Sequence, residues 1–502
     1  MENLTRRLAR NTFFNFIAKM LGFVCAMIVS VITARMLGPA RFGSYSLVST
    51  TLTVAGLCAN LGLSSVAIKF TSEISGDSRK GDREALFSYL LRFKLLATVV
   101  MVAVLLLLSG PFARFYRDND LRLYVIVSAL GLLPSGMAWL FANIISGLQE
   151  YRTFARRTMI VAPLTVISSF LALQAGWGIM GLICVTVFVN LVEFLFYYLV
   201  LRPRFRFRFD LPLPSGFRGR VMRYNLQVFG IIFLDAIVWQ RSEVFFLGKF
   251  RSPQEVGFYS LAYSVIEKVL LFLPSILSGV LMPAVSELYG KKDGERIKKL
   301  YVNSTRYLLA IAVPLSLGTV FLSPVIVRAL FGAAYLPVVP VLNILLISGV
   351  FGIVASAGSS VQYATENQDF ILKVGSLVAI GNIALDLWLI PRYGAVGAAV
   401  ANSTAQVCGV LIGTAQVLRF LKVGFPLADL FKILLSALSM GPLISFLTAS
   451  FPGLTGVCLA VPCAALLYLG CLIGLRFFTD IDLSLIKKFG DVSPRTEGSP
   501  NE

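Results

Sequence analysis

"GPARFGSYSL" occupies Gly38–Leu47, and "SPQEVGFYSL" occupies Ser252–Leu261. Aligned, Pro39 meets Pro253, Gly43 meets Gly257, and Tyr45-Ser46-Leu47 meets Tyr259-Ser260-Leu261, all at one offset of 214 residues. Two further echoes keep nearly that distance. "LPSG" at Leu133–Gly136 returns as "LISG" at Leu346–Gly349, and "GIMG" at Gly178–Gly181 returns as "GAVG" at Gly394–Gly397. Each match is short, but three in one order at near-constant spacing describe a chain built twice.

The material of each half is apolar. Of 502 residues, 57% are hydrophobic and 14% charged, against about 25% charged in soluble domains. Runs such as "LLATVVMVAVLLLLSG" and "VCLAVPCAALLYLGCLIG" approach, with their neighbours, the ~20 residues that cross a bilayer as a helix. Alternating segments of ~10 residues, the mark of a membrane β-barrel, are not the pattern. The expectation is an all-α polytopic membrane protein with about 14 transmembrane helices. It divides into a six-helix lobe over 1–201, a basic and aromatic cytoplasmic linker over 202–224, a second six-helix lobe over 225–420, a terminal helix pair over 421–480 and a tail over 481–502. Six crossings return the chain to its starting side, so the lobes run in parallel about an axis along the membrane normal. In each twin turn the proline ends one helix and the glycine permits the reversal into the next.

The net charge of +19 is a matter of topology rather than of nucleic-acid binding. With both termini cytoplasmic, about three-quarters of the 45 lysines and arginines fall on the inner side, following the positive-inside rule. The densest inner loops are "KFTSEISGDSRKGDREALFSYLLRFK", "RPRFRFRFDLPLPSGFRGRVMR" and "YGKKDGERIKKLYVNSTR". In "RPRFRFRFD", arginines alternate with Phe205, Phe207 and Phe209, a pattern for the cytoplasmic interface with anionic lipid. From the polar, basic start "MENLTRRLARN" no cleavable leader is expected. The seven cysteines lie in apolar segments without CxxC spacing and are expected as small buried hydrophobes. With no histidine, His-based catalysis and His-ligated metal sites are excluded. Neither a catalytic constellation nor a metal site is legible.

Ionisable groups within spans cost ~2.5–3.5 kcal/mol each at a helix centre and mark function by default. In the first helix, Asn11, Asn15 and Lys19 form a stripe at i, i+4 and i+8, continued by Gly22 and Ala26. In the seventh, "FLDAIVWQRSEVFF" puts Asp235, Trp239 and Glu243 on one face and Arg241 on another; the eighth adds Tyr263, Glu267 and Lys268. Lys19, Arg241 and Lys268 are candidate contacts for an anionic headgroup, with snorkelling toward the cytoplasmic headgroups as the alternative for Lys19. Asn15, Asp235, Glu243 and Glu267 are candidates for cavity polarity and for loading a proton or sodium, with internal pairing between helices as the alternative for Asp235 and Glu267. Arg35 and Arg41 flank the first twin turn and are candidates for an outer gate, with anchoring in headgroups as the alternative. Glu193, Glu366 and Asp386 receive no assignment. Prolines 134, 163, 274, 314, 442 and 462 predict kinks.

"ARMLGPARFGSYSL" resembles the signature of polysaccharide flippases in the multidrug/oligosaccharidyl-lipid/polysaccharide exporter superfamily. "SEVFFLGKFRSPQEVGFYSLAYS", "LFGAAYLPVVPVLNIL" and "RYGAVGAAVANS" agree with its second half. The resemblance implies a cell-membrane transporter, not an enzyme and without a cofactor, that moves a polyprenyl-pyrophosphate-linked oligosaccharide from the inner to the outer leaflet by alternating access. Polysaccharide polymerases and synthesis enzymes are further candidate partners. Members often carry arginine in the first helix, whereas Lys19 cannot form a bidentate fork on phosphate. A cation-coupled drug exporter of the same superfamily and a peptidoglycan lipid-precursor flippase are the alternatives. A membrane polymerase would need a large outer loop, and the outer connections are about a dozen residues or fewer.

Overall fold

Apolar helices dominate the computed structural model, which describes residues 2–60, 62–75, 80–148, 150–203, 219, 221–223, 225, 242–270, 272–365 and 367–478. The described residues are 90% helical and include no strand, and they form sixteen α-helices. In order these are α1 (Glu2–Cys58), α2 (Leu63–Ser75), α3 (Lys80–Tyr116), α4 (Asp120–Leu130), α5 (Leu132–Gly147), α6 (Tyr151–Gln174) and α7 (Gly178–Leu201). There follow α8 (Ser242–Phe250), α9 (Pro253–Val269), α10 (Phe272–Gly290), α11 (Gly294–Leu330), α12 (Val338–Ala364) and α13 (Gln368–Leu421). The last are α14 (Leu427–Leu438), α15 (Met440–Ser450) and α16 (Leu454–Gly474). Most of the linker and the whole tail lie outside the described residues.

Ten stretches among the described residues are long and apolar enough to span a membrane. Their outward faces carry bare apolar side chains: Leu107 is 78% exposed and Leu466 71%. Such surface is tolerable only against lipid. This is a multi-pass membrane protein.

Two of the spans are double. Gly38 (φ 72°, ψ 169°) breaks α1, and Pro39 opens its second segment, where a missing N–H costs nothing. The reversal therefore sits at Gly38; Gly43 is helical and has another use, described below. Gly394 (φ 57°) breaks α13 in the same way. Its echo Gly178 has φ 55° at the start of α7, so the two "GxxG" motifs share a left-handed residue that disfavours any side chain.

Prolines act where their missing N–H and ring clash at i−4 dictate. α4 ends at Leu130, four residues before Pro134, and α14 ends at Leu438, four before Pro442. Pro163, Pro314 and Pro462 stay inside continuous helices.

By contacts the chain divides into two compact units. One comprises Met1–Lys268, Leu330–Leu345 and Asn367–Gly409; the other comprises Val269–Ala329, Leu346–Glu366 and Val410–Glu502. The first has a core of Leu63, Phe70, Leu86, Leu90, Phe141 and Ile145 from α2, α3 and α5. The second packs Leu309 and Val313 of α11 on Ile433, Ala437, Ala460 and Ala464. Lipid tails are as apolar as these side chains, so close packing rather than water exclusion holds them together. Four cysteines expected to be buried (Cys184, Cys408, Cys458 and Cys463) are exposed on the spans, and all seven are free. Their apolar surroundings are the bilayer rather than a protein core.

Two loop readings need correction. Lys94 closes the first basic stretch but lies inside α3, 2% exposed. Its Nζ donates to Ala59 O at 3.3 Å, at the end of α1, where the helix dipole favours a cation. Arg306 closes the third stretch yet is buried in α11. It pairs with Asp429 at 2.7 Å, donates from Nη2 to Phe477 O at 2.7 Å and lies 4.9 Å from the Phe477 ring centre. These contacts hold α14 and the end of α16 to α11. An Arg306→Ala variant leaves Asp429 and the Phe477 carbonyl unpaired, and should cost about 2 kcal/mol. A lowered melting temperature in detergent, with early proteolysis within residues 425–478, is the expected result.

Candidate functional site

The two wholly buried acids of the first unit lie in one place. Ser242 and Glu243 begin α8; Tyr259 follows on α9; Asn382 and Asp386, at i and i+4, share a face of α13. The break at Gly394 folds the second segment of α13 back, bringing Asn402 beside them. Glu243 lies ten residues before Pro253, Asn382 twelve before Gly394 and Asn402 eight after it. At ~1.5 Å per residue, all three sit roughly 12–18 Å below one row of turns, well inside the apolar layer.

Glu243 and Asp386 are both fully buried. Glu243 Oε1 accepts hydrogen bonds from Asn382 Nδ2 at 3.1 Å and from Asn402 Nδ2 at 2.8 Å. Asn402 Oδ1 in turn accepts from Gln406 Nε2 at 2.8 Å. The remaining oxygens are idle: Glu243 Oε2, Asn382 Oδ1 and both carboxylate oxygens of Asp386 have no hydrogen-bond partner among the described residues. The hydroxyls of Tyr259 and Ser242 border the pair. No lysine or arginine among the described residues forms an ion pair with either acid. Two carboxylates buried this way are strongly unfavourable as bare anions. Idle oxygens at one point form a donor set for a proton or a hard cation.

Around the row of turns the chain closes on itself. The backbones of the twin turns touch: a Cβ on Gly43 would lie 1.7 Å from Pro253 O, and one on Gly257 2.3 Å from Pro39 O. Each glycine meets the proline of the other turn, so the contact has the reciprocity of a twofold axis. Tyr335, in the short helix Ala333–Tyr335 between α11 and α12, donates its hydroxyl to Ala34 O at 2.8 Å. Its ring sits among Phe42, Phe258 and Phe331 at 6.1–6.4 Å. Glu255 Oε2 accepts the Ala395 N–H at 2.7 Å, and Arg251 Nε donates to Ile390 O at 3.2 Å. The α8–α9 turn is thereby tied to the break in α13.

The second unit contains a cavity of about 540 Å³ between α11, α12, the end of α13 and α14. Its lining is apolar, including Val313, Phe351, Val354, Leu411, Phe425 and Leu430, with only Ser316 and Thr414 polar. Ser316 Oγ is engaged by Leu346 O at 2.8 Å.

Of the residues singled out in the sequence, Glu243 lies at the buried cluster. Lys19, Arg35, Arg41 and Glu267 are exposed, and Lys268 is half-buried with Nζ donating to Ser264 O at 3.2 Å. Asp235 and Arg241 lie outside the described residues, as does the side chain of Asn15. Asp386 could not be assigned from sequence, nor Glu193, which pairs with Arg157 at 2.6 Å; Glu366 is outside the described residues. Asn382 and Asn402 were missed. The available signal was the i, i+4 pair Asn382–Asp386 in an apolar span.

A family model described as "Polysaccharide biosynthesis protein" matches residues 32–340. The chain belongs to that polysaccharide biosynthesis family. A second model, "Lipid II flippase MurJ", matches residues 254–463. Among family relatives, the "Probable low-salt glycan biosynthesis flippase Agl15" of Haloferax volcanii is 23% identical over 95% of this chain and 96% of its own. The "Teichuronic acid biosynthesis protein TuaB" of Bacillus subtilis is 24% identical over 71% of each. The fold is similar to a structure titled "Lipid II flippase MurJ, inward closed conformation", with TM-score 0.74 and 16% identity over 93% of this chain and 99% of that one.

Proposed function

We propose that this protein is a cell-membrane flippase that carries a polyprenyl-pyrophosphate-linked oligosaccharide from the inner to the outer leaflet, coupled to a proton or sodium ion. The observation that carries the transport reading is the Glu243–Asp386 pair, two wholly buried carboxylates with idle oxygens inside a membrane fold. Such a pair is stable when it holds a positive charge and unstable when bare, so its loading and a change of conformation are linked. The substrate class follows from what the family relatives do. The apolar cavity of the second unit suits a prenyl chain, and Lys19, Arg241 and Lys268 serve as pyrophosphate contacts, with Arg35 and Arg41 at the outer face. The termini are cytoplasmic, on the side richer in lysine and arginine. The protein performs no covalent chemistry.

The test is mass spectrometry of lipid-linked saccharides in cells lacking the gene and in cells with it restored. A pyrophosphoryl-linked oligosaccharide that builds up only in the deletion is the expected result. No build-up, with the downstream glycan unchanged, would refute the reading. The match of residues 254–463 to a lipid II flippase model favours one alternative, transport of a peptidoglycan precursor, and build-up of that precursor alone would establish it.

A further inference from the structure

The first unit holds a second cavity, of about 290 Å³, with a different lining. Three stretches converge on it, from the second segment of α1, the α4–α5 region and α7. Tyr45, Ser49 and Thr53 stand at i, i+4 and i+8, hence on one face of α1. Ser128 comes from α4, and Thr186 and Asn190, at i and i+4, come from α7. No lining residue is charged. Counted from the turns at Pro39, Asn119 and Gly178, these six lie six to fourteen residues into their helices. That is a common depth of about 9–21 Å below one face at ~1.5 Å per residue.

Some of these hydroxyls bond back to their own helices: Thr53 to Ser49 O at 2.9 Å and Thr186 to Leu182 O at 2.9 Å. Such a hydroxyl still has lone pairs that accept. Ser128 Oγ is different. Ser128 is 3% exposed, and its hydroxyl has no hydrogen-bond partner among the described residues. A cavity of this size with hydroxyl or amide groups on seven of its fourteen lining residues is not dry. Its contents are either water or a molecule that replaces water's hydrogen bonds group for group.

We infer that this cavity is a saccharide subsite, taking a neutral sugar ring of the cargo as it passes the outer half of the membrane. The inference rests on the flippase reading and adds the part of the site that reads the sugar. A lining without charge is wrong for pyrophosphate, which needs cations. Hydroxyl and amide groups on three sides match the equatorial hydroxyls of a hexose, and the Tyr45 ring offers an apolar face to its C–H groups. The volume lies just below the ~300–1,000 Å³ of small-molecule sites, enough for a sugar ring but not for a long chain. Selectivity then comes from the buried Ser128 hydroxyl, which the wrong sugar leaves unpaired.

The experiment uses the full chain in phosphatidylethanolamine–phosphatidylglycerol nanodiscs and saturation-transfer NMR. The probes are methyl glycosides of glucose, galactose, mannose, rhamnose and N-acetylglucosamine. At least one glycoside should receive saturation, a Thr53→Val/Asn190→Leu variant should reduce that signal about tenfold, and inorganic pyrophosphate should leave it unchanged. Melting temperatures check the fold; if the double variant melts early, Thr186→Val, at an exposed hydroxyl, carries the comparison with a smaller loss of the same sign. A signal that survives the substitutions, or one displaced by pyrophosphate, overturns the subsite. So does the absence of any signal from protein that still clears lipid-linked oligosaccharide in the restored cells, a result that leaves the flippase reading standing.

Discussion

An Asp386→Asn variant should fold as well as the wild type and lose transport by about tenfold or more. Asp386 contributes two buried carboxylate oxygens that no described residue bonds, next to the second acid, Glu243. Asparagine keeps the shape and removes the charge. Removing one of two like charges from a low-dielectric site is neutral or favourable for stability, so the melting temperature should hold or rise. On the proposed coupling, the cation would lose half of its counter-charge, and with it the link between loading and conformation. The measurement is flipping of lipid-linked oligosaccharide in proteoliposomes, read as lectin-accessible saccharide, with and without a proton or sodium gradient. Wild-type flux with an unchanged response to the gradient would sink the coupling site. Replacing Glu243 by leucine acts differently: it strands the amide donors of Asn382 and Asn402, each hydrogen bond to a charged group being worth ~1.5–3 kcal/mol, so that variant loses stability as well as flux.

Gly43→Val should be as damaging, through geometry rather than charge. A carbon needs about 3.3 Å from a carbonyl oxygen, and a Cβ on Gly43 would stand at 1.7 Å from Pro253 O. The neighbour is backbone, so no rotamer change relieves the contact and the two turns must part by more than an ångström. The same holds for Gly257 against Pro39 O at 2.3 Å. The expected result is a protein that folds, fails to bring its twin turns together and loses about tenfold or more in flux. Spin labels at Ala40 and Gln254, both exposed, should show a longer and broader distance distribution by pulsed EPR in Gly43→Val than in wild type. Gly38→Ala is the control: nothing lies within 4 Å of its added carbon. Its strain comes only from a backbone conformation that glycine alone adopts readily, ~1–3 kcal/mol, and it should alter stability without parting the turns. An unchanged distance in Gly43→Val would mean that the contact is not part of the working cycle.

The twin turns show how far sequence reading reaches. Their repetition and their proline were legible because both are local. The role of Gly43 was not. A glycine next to a turn reads as backbone freedom, and only the fold reveals that Gly43 is helical and small because another chain segment lies against it. Lys94 and Arg306 make the same point for charge. Each ends a basic stretch, and each turns inward where a helix end or a carboxylate awaits it.

Sequence alone determined that this chain is a helical membrane protein and placed it beside the polysaccharide flippases. Within lipid every backbone N–H and C=O must be satisfied inside its own helix, so length and apolarity of a segment are enough to declare a span. Tertiary structure alone decided the site. Glu243 meets Asn382 and Asn402 across 139 and 159 residues, and Asp386 acquires meaning only beside them. Each helix may turn about its own axis at no cost in composition, and a single residue shifts a side chain by ~100°. Which polar groups share a pocket is therefore settled by kinks, by small residues that let backbones touch, and by the packing of neighbours.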